Sequence, residues 1–395
     1  MLDRPHARAV VDLLTGIVFV GLLVLPALDS ALGIDWTTPP EEKRQLAPRP
    51  TMPRSLQAAS RLRRAFDAYL GDHFGFRSLL LRLHARAAVC WVGVPPSPTV
   101  EIMVGRHGWL FFTGEDSVRY IEGRNLFSEK ELEAWRVSLR QRHDWLASRG
   151  IRYLVVFAPG SPSIYPENLP RWLRPSSHGT RLDQLMGAMR ACPEVAVLDL
   201  RPALLQGKLW APVYSRTDTH WNMVGAWIAY DSIMGNLARW FPQVKPAPFS
   251  SFHVALGRST GGDLAVMAGI QGFVSEAVPW LAPRLGNHAR TLKTADYATL
   301  RAWRNLMEPV ITVCDQGEIP RVVVFRDSFS VPLAPFLSEH FGRCVYLWVQ
   351  DFEPRAIERE KPDLVIQEYT ERLLSVVNPD NPPAITAEPL KPTRN

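Results

Sequence analysis

From Val10 to Leu28 nearly every position is apolar, interrupted by Asp12, Thr15 and a few small residues. Arg4, His6 and Arg8 precede the run. Counted from Leu13, the clean stretch falls short of the roughly 20 residues that a membrane span needs; counted from Ala9, it suffices with Asp12 at headgroup depth. The basic flank predicts a cytoplasmic segment over 1–8, a transmembrane signal anchor over 9–28 and an exported remainder. A cleaved signal peptide is the rival. No good small-x-small cleavage site stands around Ala27-Leu28-Asp29-Ser30-Ala31, which favours the anchor. The polar stretch that follows, with Pro39, Pro40, Pro48, Pro50 and Pro53, reads as an extended linker over 29–57 and argues against a buried core helix.

Helical spacing begins at Ala58. Leu62, Phe66, Tyr69 and Leu70 share a face, Gly71 to Arg77 interrupts it, and Leu79, Leu80 and Leu83 resume it. His73, amid helix-breaking glycines, reads as a structural hydrogen-bonder. Val104 to Phe112 predicts a turn and an apolar strand. Ser128 and Glu131 form a capping box that opens a helix carrying Leu132, Trp135, Leu139, Trp145 and Leu146, with Gly150 as its stop.

Strands and helices then alternate. Strands are expected at Tyr153–Phe157, Val195–Leu198, Arg321–Phe325, Val345–Val349 and Leu364–Ile366. Helices are expected from Thr180 to Cys192, from Asn222 to about Trp240, and from Val331 to Phe341. Short β-branched runs between helices predict an α/β fold with a mainly parallel sheet covered on both faces. Residues 245–320 fit this alternation poorly. Gly261-Gly262-Asp263 and Gly269 suggest loops around short helices there, with a lid as one role. An irregular Pro-rich tail is expected over 376–395.

Composition adds limits. The chain has 395 residues, 46% hydrophobic and 21% charged, enough for one large domain or two ordinary ones. A net charge of +6 without a dense basic block or a zinc-finger spacing gives no sign of a nucleic-acid partner. Thirteen Trp supply either core or stacking surface for sugar rings. Cys90, Cys192, Cys314 and Cys344 have no CxxC spacing, so no zinc site is expected. Export permits disulfides, but Cys314 and Cys344 lie in or beside apolar strand-like runs and read as buried thiols.

Two stretches carry candidate chemistry. In Thr217-Asp218-Thr219-His220-Trp221-Asn222, an extended backbone points residues i and i+2 the same way, so Asp218 can fix the tautomer of His220 and stabilise its charged form. Asp218 as a helix cap or a partner of Arg216 is the alternative, and a two-ligand metal site lacks a third ligand. In Arg326-Asp327-Ser328-Phe329-Ser330, a strand gives way to a helix, which puts Ser328 at the carboxyl edge of the sheet. Backbone N–H groups at that helix start offer an oxyanion hole. Ser328 needs a base to act as nucleophile; alternatively Asp327, Ser328 or Ser330 only caps the helix.

Together the two stretches resemble the SGNH-hydrolase-like polysaccharide O-acetyltransferases, the AlgJ/AlgX-like family of alginate acetylation. Asp72-His73-Phe74-Gly75-Phe76-Arg77, Gly105-Arg106-His107-Gly108-Trp109-Leu110-Phe111, Ile164-Tyr165-Pro166-Glu167 with Leu169-Pro170, Gly262-Asp263-Leu264, Asp327-Ser328-Phe329 and Glu371-Arg372 also match that family's motifs, in order. The resemblance implies an SGNH-like domain over 58–375, with Ser328 as nucleophile, His220 as base and Asp218 as its orienting acid. Arg326, Tyr165 and Trp221 are the expected oxyanion or substrate contacts. Arg326 departs from the glycine usual at its position, and the Pro159 loop lacks a common lysine.

The resemblance further implies acetyl transfer through a serine ester to a polysaccharide hydroxyl, with no cofactor and no metal. A membrane-bound O-acyltransferase would supply the acetyl group from a cytoplasmic donor. The place implied is the bacterial inner membrane with the catalytic domain in the periplasm, or the periplasm after signal cleavage. A polysaccharide acetylesterase and a non-catalytic polysaccharide-binding scaffold are the alternatives.

Overall fold

The computed structural model describes residues 4–37, 45–52, 56–292 and 309–377. Parts of the expected N-terminal segment and linker, residues 293–308 of the expected lid region and the tail from 378 lie outside them. Contacts divide the chain into two compact units, 1–100 with 265–273, and 101–264 with 274–395.

In the first unit, α1 (Arg4–Leu32) is followed by α2 (Leu56–Asp72) and α3 (Arg77–Arg86). Ala9–Leu32 is long and apolar enough to cross a membrane, and none of its most apolar window is buried. The far end of α1 is tied into the first unit. Asp29 is buried, and its Oδ2 accepts the Phe76 amide at 2.6 Å. Phe76 sits in the left-handed region (φ 59°), where a side chain is disfavoured, and this bond helps hold it there. A Cβ on the preceding Gly75 would overlap the Pro26 backbone, so this turn needs glycine to approach α1. His73 Nδ1 donates to the Tyr69 carbonyl at 3.0 Å, and its ring stacks on that of Tyr69, a structural role.

The second unit opens with a hairpin of β1 (Ile102–Val104) and β2 (Leu110–Phe112), then α4 (Ser117–Ile121) and α5 (Glu129–Ala147). The Ser128–Glu131 capping box forms as its spacing predicts. There follow β3 (Arg152–Ala158), α6 (Ser161–Ile164), α7 (Arg181–Met189), β4 (Ala196–Asp199), α8 (Arg201–Gly207) and α9 (Met223–Leu237). Next come β5 (Phe252–Ser259), α10 (Asp263–Met267), β6 (Glu276–Pro283), β7 (Arg290–Leu292), β8 (Val310–Val313) and β9 (Ile319–Arg326). The last elements are α11 (Ser330–Leu337), β10 (Phe341–Trp348), α12 (Pro354–Glu360) and β11 (Leu364–Thr370).

Seven strands pair in the order β4-β3-β11-β9-β10-β8-β7. The first five are mutually parallel; β8 and β7 close one edge antiparallel. Alternate β9 side chains enter two cores: Val322 and Val324 one, Val323 and Phe325 the other. Both faces are therefore covered, which is why the strands read as unbroken apolar runs.

Two expectations need correction. For residues 245–292 the expectation holds only in part: α10 is a short helix between loops, as Gly261-Gly262-Asp263 and Gly269 suggest, but β5 and β6 form a long hairpin on either side of it in sequence and β7 joins the main sheet. Most of β5 is exposed, so backbone pairing holds it and no apolar run announces it. The helix expected to reach Phe341 ends at Leu337, and Phe341 is the first residue of β10. Cys314 and Cys344 are buried free thiols, as their apolar runs predict.

Candidate active site

The loop bearing Asp218 and His220 is held at its base by a bridge between Tyr214 and Trp221. Asn222 caps α9, its Oδ1 accepting the Val224 and Gly225 amides at 2.9 and 3.1 Å while its Nδ2 donates to the Pro212 carbonyl at 2.8 Å. Asn222, and not Asp218, is thus the helix cap. Arg216 pairs with Glu276, whose carboxylate also accepts the Arg216 amide and the Thr217 hydroxyl. Asp218 is left free for the imidazole. Gly262 rests on it: a Cβ there would lie 2.6 Å from Asp218 Cβ, so the close approach requires glycine.

His220 Nδ1 lies 2.9 Å from Asp218 Oδ1, which also accepts the His220 amide at 2.8 Å. Asp263 Oδ2 stands 3.5 Å from the same nitrogen, and its Oδ1 accepts the Thr219 amide at 2.7 Å. Burial pushes the imidazole pKa down, but the hydrogen bond and charge of Asp218, with the charge of Asp263, outweigh it and the net shift is upward. For Asp218, burial opposes ionisation, yet the His220 bonds win and hold its carboxyl below the usual range. Asp263 moves the other way, raised by burial and by Asp218. Asp218, His220 and Asp263 also make a group whose donor atoms all lie within 4.8 Å of one another, which adds a third candidate ligand that the sequence did not reveal.

Ser328 lies in the turn between β9 and α11, half-buried at the carboxyl edge of the sheet. Two carboxyl groups shape that turn from beneath. Asp327 Oδ1 accepts the Phe329 amide at 2.8 Å, and its Oδ2 accepts the Thr370 amide at 2.8 Å and the Thr370 hydroxyl. Glu368 Oε2 accepts the Asp327 amide and the Ser330 hydroxyl, both at 3.0 Å. The ends of β9 and β11 are so tied together. The Asp327 and Phe329 amides are already committed, whereas the Ser328 amide has no partner among the described residues.

Phe329 connects the two stretches. Its ring centre is 5.0 Å from that of His220 and 5.1 Å from that of Trp221, which it meets edge-on. His220 Nε2 is buried and makes no hydrogen bond, so the fold brings His220 against the residue following Ser328 without closing a bond to the serine. The Arg372 guanidinium lies 5.6 Å from the Phe329 ring centre, braced by Glu115 at 2.7 Å. Its partner in sequence, Glu371, is buried and accepts the Gly160 amide at 2.8 Å, tying the β3 and β11 ends together.

The remaining expected contacts are placed as follows. Trp221 is buried, with Nε1 lacking a partner. Tyr165 is buried beside Trp109, and its hydroxyl accepts the Val213 amide at 3.0 Å, supporting the entry to the Asp218 loop. Arg326 lies over Trp348 and lines a cavity whose walls include none of Asp218, His220 or Ser328.

Residues 102–351 match the family model for the SGNH hydrolase-like domain of the acetyltransferase AlgX. The chain belongs to this AlgX-type family. It is 31% identical over 138 residues to the probable alginate O-acetylase AlgJ of Pseudomonas fluorescens, which covers 35% of this chain and 33% of that protein. It is 27% identical over 168 residues to AlgJ of Pseudomonas aeruginosa, 42% of this chain and 40% of that protein. The match thus spans well under half the length of these curated relatives. Bacillus cereus PatB1 shares the fold at a TM-score of 0.51 and 15% identity, over 71% of this chain and 99% of that one. PatB1 has also been solved with a sulfonyl adduct. The AlgX-type match spans both the Asp218 loop and the Ser328 turn.

Proposed function

We propose that this protein is an O-acetyltransferase that moves an acetyl group through an ester on Ser328 to a hydroxyl of an exported polysaccharide. The observation that carries it is His220: Nδ1 is held by Asp218, Nε2 is buried and unpaired, and the ring packs on the residue after Ser328. That arrangement suits a general base whose one open nitrogen faces a nucleophile.

In the first half-reaction, His220 Nε2 takes the Ser328 proton as Oγ attacks the acetyl carbonyl, and His220 returns the proton to the departing donor oxygen or sulfur. In the second, His220 takes the proton of a sugar hydroxyl as it attacks the ester carbonyl, and Ser328 Oγ leaves and is reprotonated. The free Ser328 amide and the Arg372 guanidinium are the groups available to the oxyanion. Asp218 keeps Nδ1 protonated and stabilises the imidazolium at each transfer.

The apolar, exposed Ala9–Leu32 helix supports a single-pass anchor in the inner membrane with the catalytic unit outside the cytoplasm. A cytoplasmic acetyl donor then needs a membrane-bound O-acyltransferase partner to pass acetyl groups across. An acetyl-ester assay with and without an oligosaccharide acceptor tests the assignment. Transfer supports it; release to water alone makes the protein an acetylesterase; neither activity makes it a binding scaffold.

A further inference from the structure

Arg326 closes β9, and by strand alternation its side chain leaves the sheet on the face of Val324, toward α11. Its residue is 7% exposed. The guanidinium makes one hydrogen bond, from Nη1 to the neighbouring Asp327 carbonyl at 3.2 Å, and its flat face lies 4.5 Å above the Trp348 ring. Among the described residues no carboxylate pairs with it. Asp327 is spent on the Phe329 amide and on Thr370, and Glu368 Oε2 on Asp327 and Ser330. Burial holds the guanidinium pKa below its ordinary value, against the opposing charges of Glu368 and Asp327. A buried cation that no carboxylate contacts directly is costly, and an anion seated on it offsets that cost.

The space beside it is a cavity of about 310 Å³, at the lower end of the size of ligand pockets. One wall carries a chain of hydroxyls: Thr312 Oγ1 donates to Ser338 Oγ at 2.9 Å, and Ser338 Oγ pairs with the Tyr346 hydroxyl at 2.9 Å. Val331 and Ala334 of α11 give an apolar side. Glu339 also lines it, its carboxylate taken by the His288 and Ala289 amides.

We propose that this cavity is a binding site for a carboxylate monoanion, distinct from the Ser328 site and seated on Arg326. A single guanidinium presents a planar fork that matches one carboxylate. The nearby Glu339 charge opposes a dianion such as phosphate, and the apolar side accepts a short carbon skeleton. The carboxylate comes either as a free small acid or as the acid group of a sugar. Arg326 stands two residues before Ser328, so an occupied site would brace the turn that carries the nucleophile.

Isothermal titration of the full chain in detergent tests this, with sodium acetate, sodium glucuronate, glucose and inorganic phosphate as probes. One or both carboxylates are expected to bind saturably at one site, with glucose silent and phosphate weaker. Acetate and glucuronate binding alike marks a site for small free acids; glucuronate alone marks a sugar acid. Arg326→Gln is expected to weaken the bound carboxylate at least about tenfold, the loss of a charge-assisted pair. Ala334→Phe, which fills the cavity and keeps the arginine, is expected to do the same and decides the matter where Arg326→Gln misfolds. No carboxylate binding to the wild type, unchanged binding in the folded variants, or phosphate binding tighter than both acids overturns the proposal. The titration needs no acetyl transfer, so its failure and a failure of the Ser328 assignment are told apart.

Discussion

Asp263 Oδ2 stands 3.5 Å from His220 Nδ1, on the same nitrogen that Asp218 holds at 2.9 Å. The imidazole therefore answers to two carboxylates, and its upward shift owes part of its size to the second. As the proposed general base His220 must be neutral, so its raised pKa is expected to set the acidic limb of the rate profile above the ordinary histidine value of about 6.5. Asp263→Asn removes a charge that favours the imidazolium while leaving an oxygen for the Thr219 amide. The acidic limb of kcat/KM is expected to move to lower pH, with a modest loss of rate near neutrality. A variant that lost rate equally at every pH would assign Asp263 a purely structural role. The stability consequence has a definite sign. A histidine with a raised folded pKa contributes stability that is complete below about pH 6.5 and lost as pH rises through the folded pKa. Asp263→Asn should reduce that contribution, measured by denaturant unfolding at several pH values.

Ser328→Ala is expected to keep the fold and abolish the acyl-enzyme, with kcat down by roughly 10⁴-fold or more. Intact-mass spectrometry after exposure to an acetyl ester reads the adduct directly. A sulfonyl fluoride should label the wild type once and leave Ser328→Ala unlabelled. An acetylated or sulfonylated Ser328→Ala protein, at the wild-type rate, would move the nucleophile elsewhere. Asp218→Asn should keep Ser328 present but slow its acylation by roughly 10⁴-fold through the wrong His220 tautomer.

Much of this geometry was legible in the chain. Asp218 and His220 are two residues apart, and the strand-to-helix break at Ser328 follows an apolar β-branched run, so local spacing announces both. The Ser128 cap and the β3, β9 and β11 strands are local in the same sense. Asp263 and Glu276 are not. They reach the Asp218 loop from the connection and the second strand of a hairpin whose first strand, β5, is exposed and shows no alternation. Gly262-Asp263 was visible as a motif, yet its meaning is a distance to Asp218 that only the fold supplies. Arg326 read as a cation near the serine because sequence adjacency says nothing of face, and the pleat of β9 turns it toward α11.

Glu368 is buried beneath the Ser328 turn, with Oε1 unpaired and Oε2 accepting from Asp327 and Ser330. Burial first, and then the charge of Asp327, push its carboxyl well above the usual range. In the window above the unfolded value, about 4.3, and below the folded one, the native state binds the extra proton. Stability therefore falls with rising pH there, by at most about 1.36 kcal/mol per unit. Glu368→Gln keeps an acceptor for both donors and cannot ionise. It is expected to flatten this slope and to gain stability relative to the wild type as pH rises, followed by thermal unfolding between acid and neutral pH. A wild-type slope retained in Glu368→Gln would place the titrating group elsewhere.

The end of α1 makes a prediction of a different kind. Asp29 accepts the amides of Phe76 at 2.6 Å and Asp35 at 2.5 Å, and Ser30 Oγ donates to the His73 carbonyl at 3.3 Å. The lower end of the apolar helix is therefore part of the folded unit, while the exposed stretch before it carries the hydrophobic surface. A cut between the two should separate anchoring from stability. With an exogenous export signal, removal of residues 1–24 is expected to release the protein from the membrane and leave its thermal unfolding nearly unchanged. Removal of 1–32 is expected to release it too, but to lower stability, because the Phe76 amide loses its acceptor in a left-handed turn. Asp29→Ala in the full chain should reproduce that loss, about 1 kcal/mol or more for a partly buried donor left unpaired. Equal unfolding temperatures for the two truncations would show that Asp29 contributes nothing, and membrane retention of both would remove α1 as the anchor.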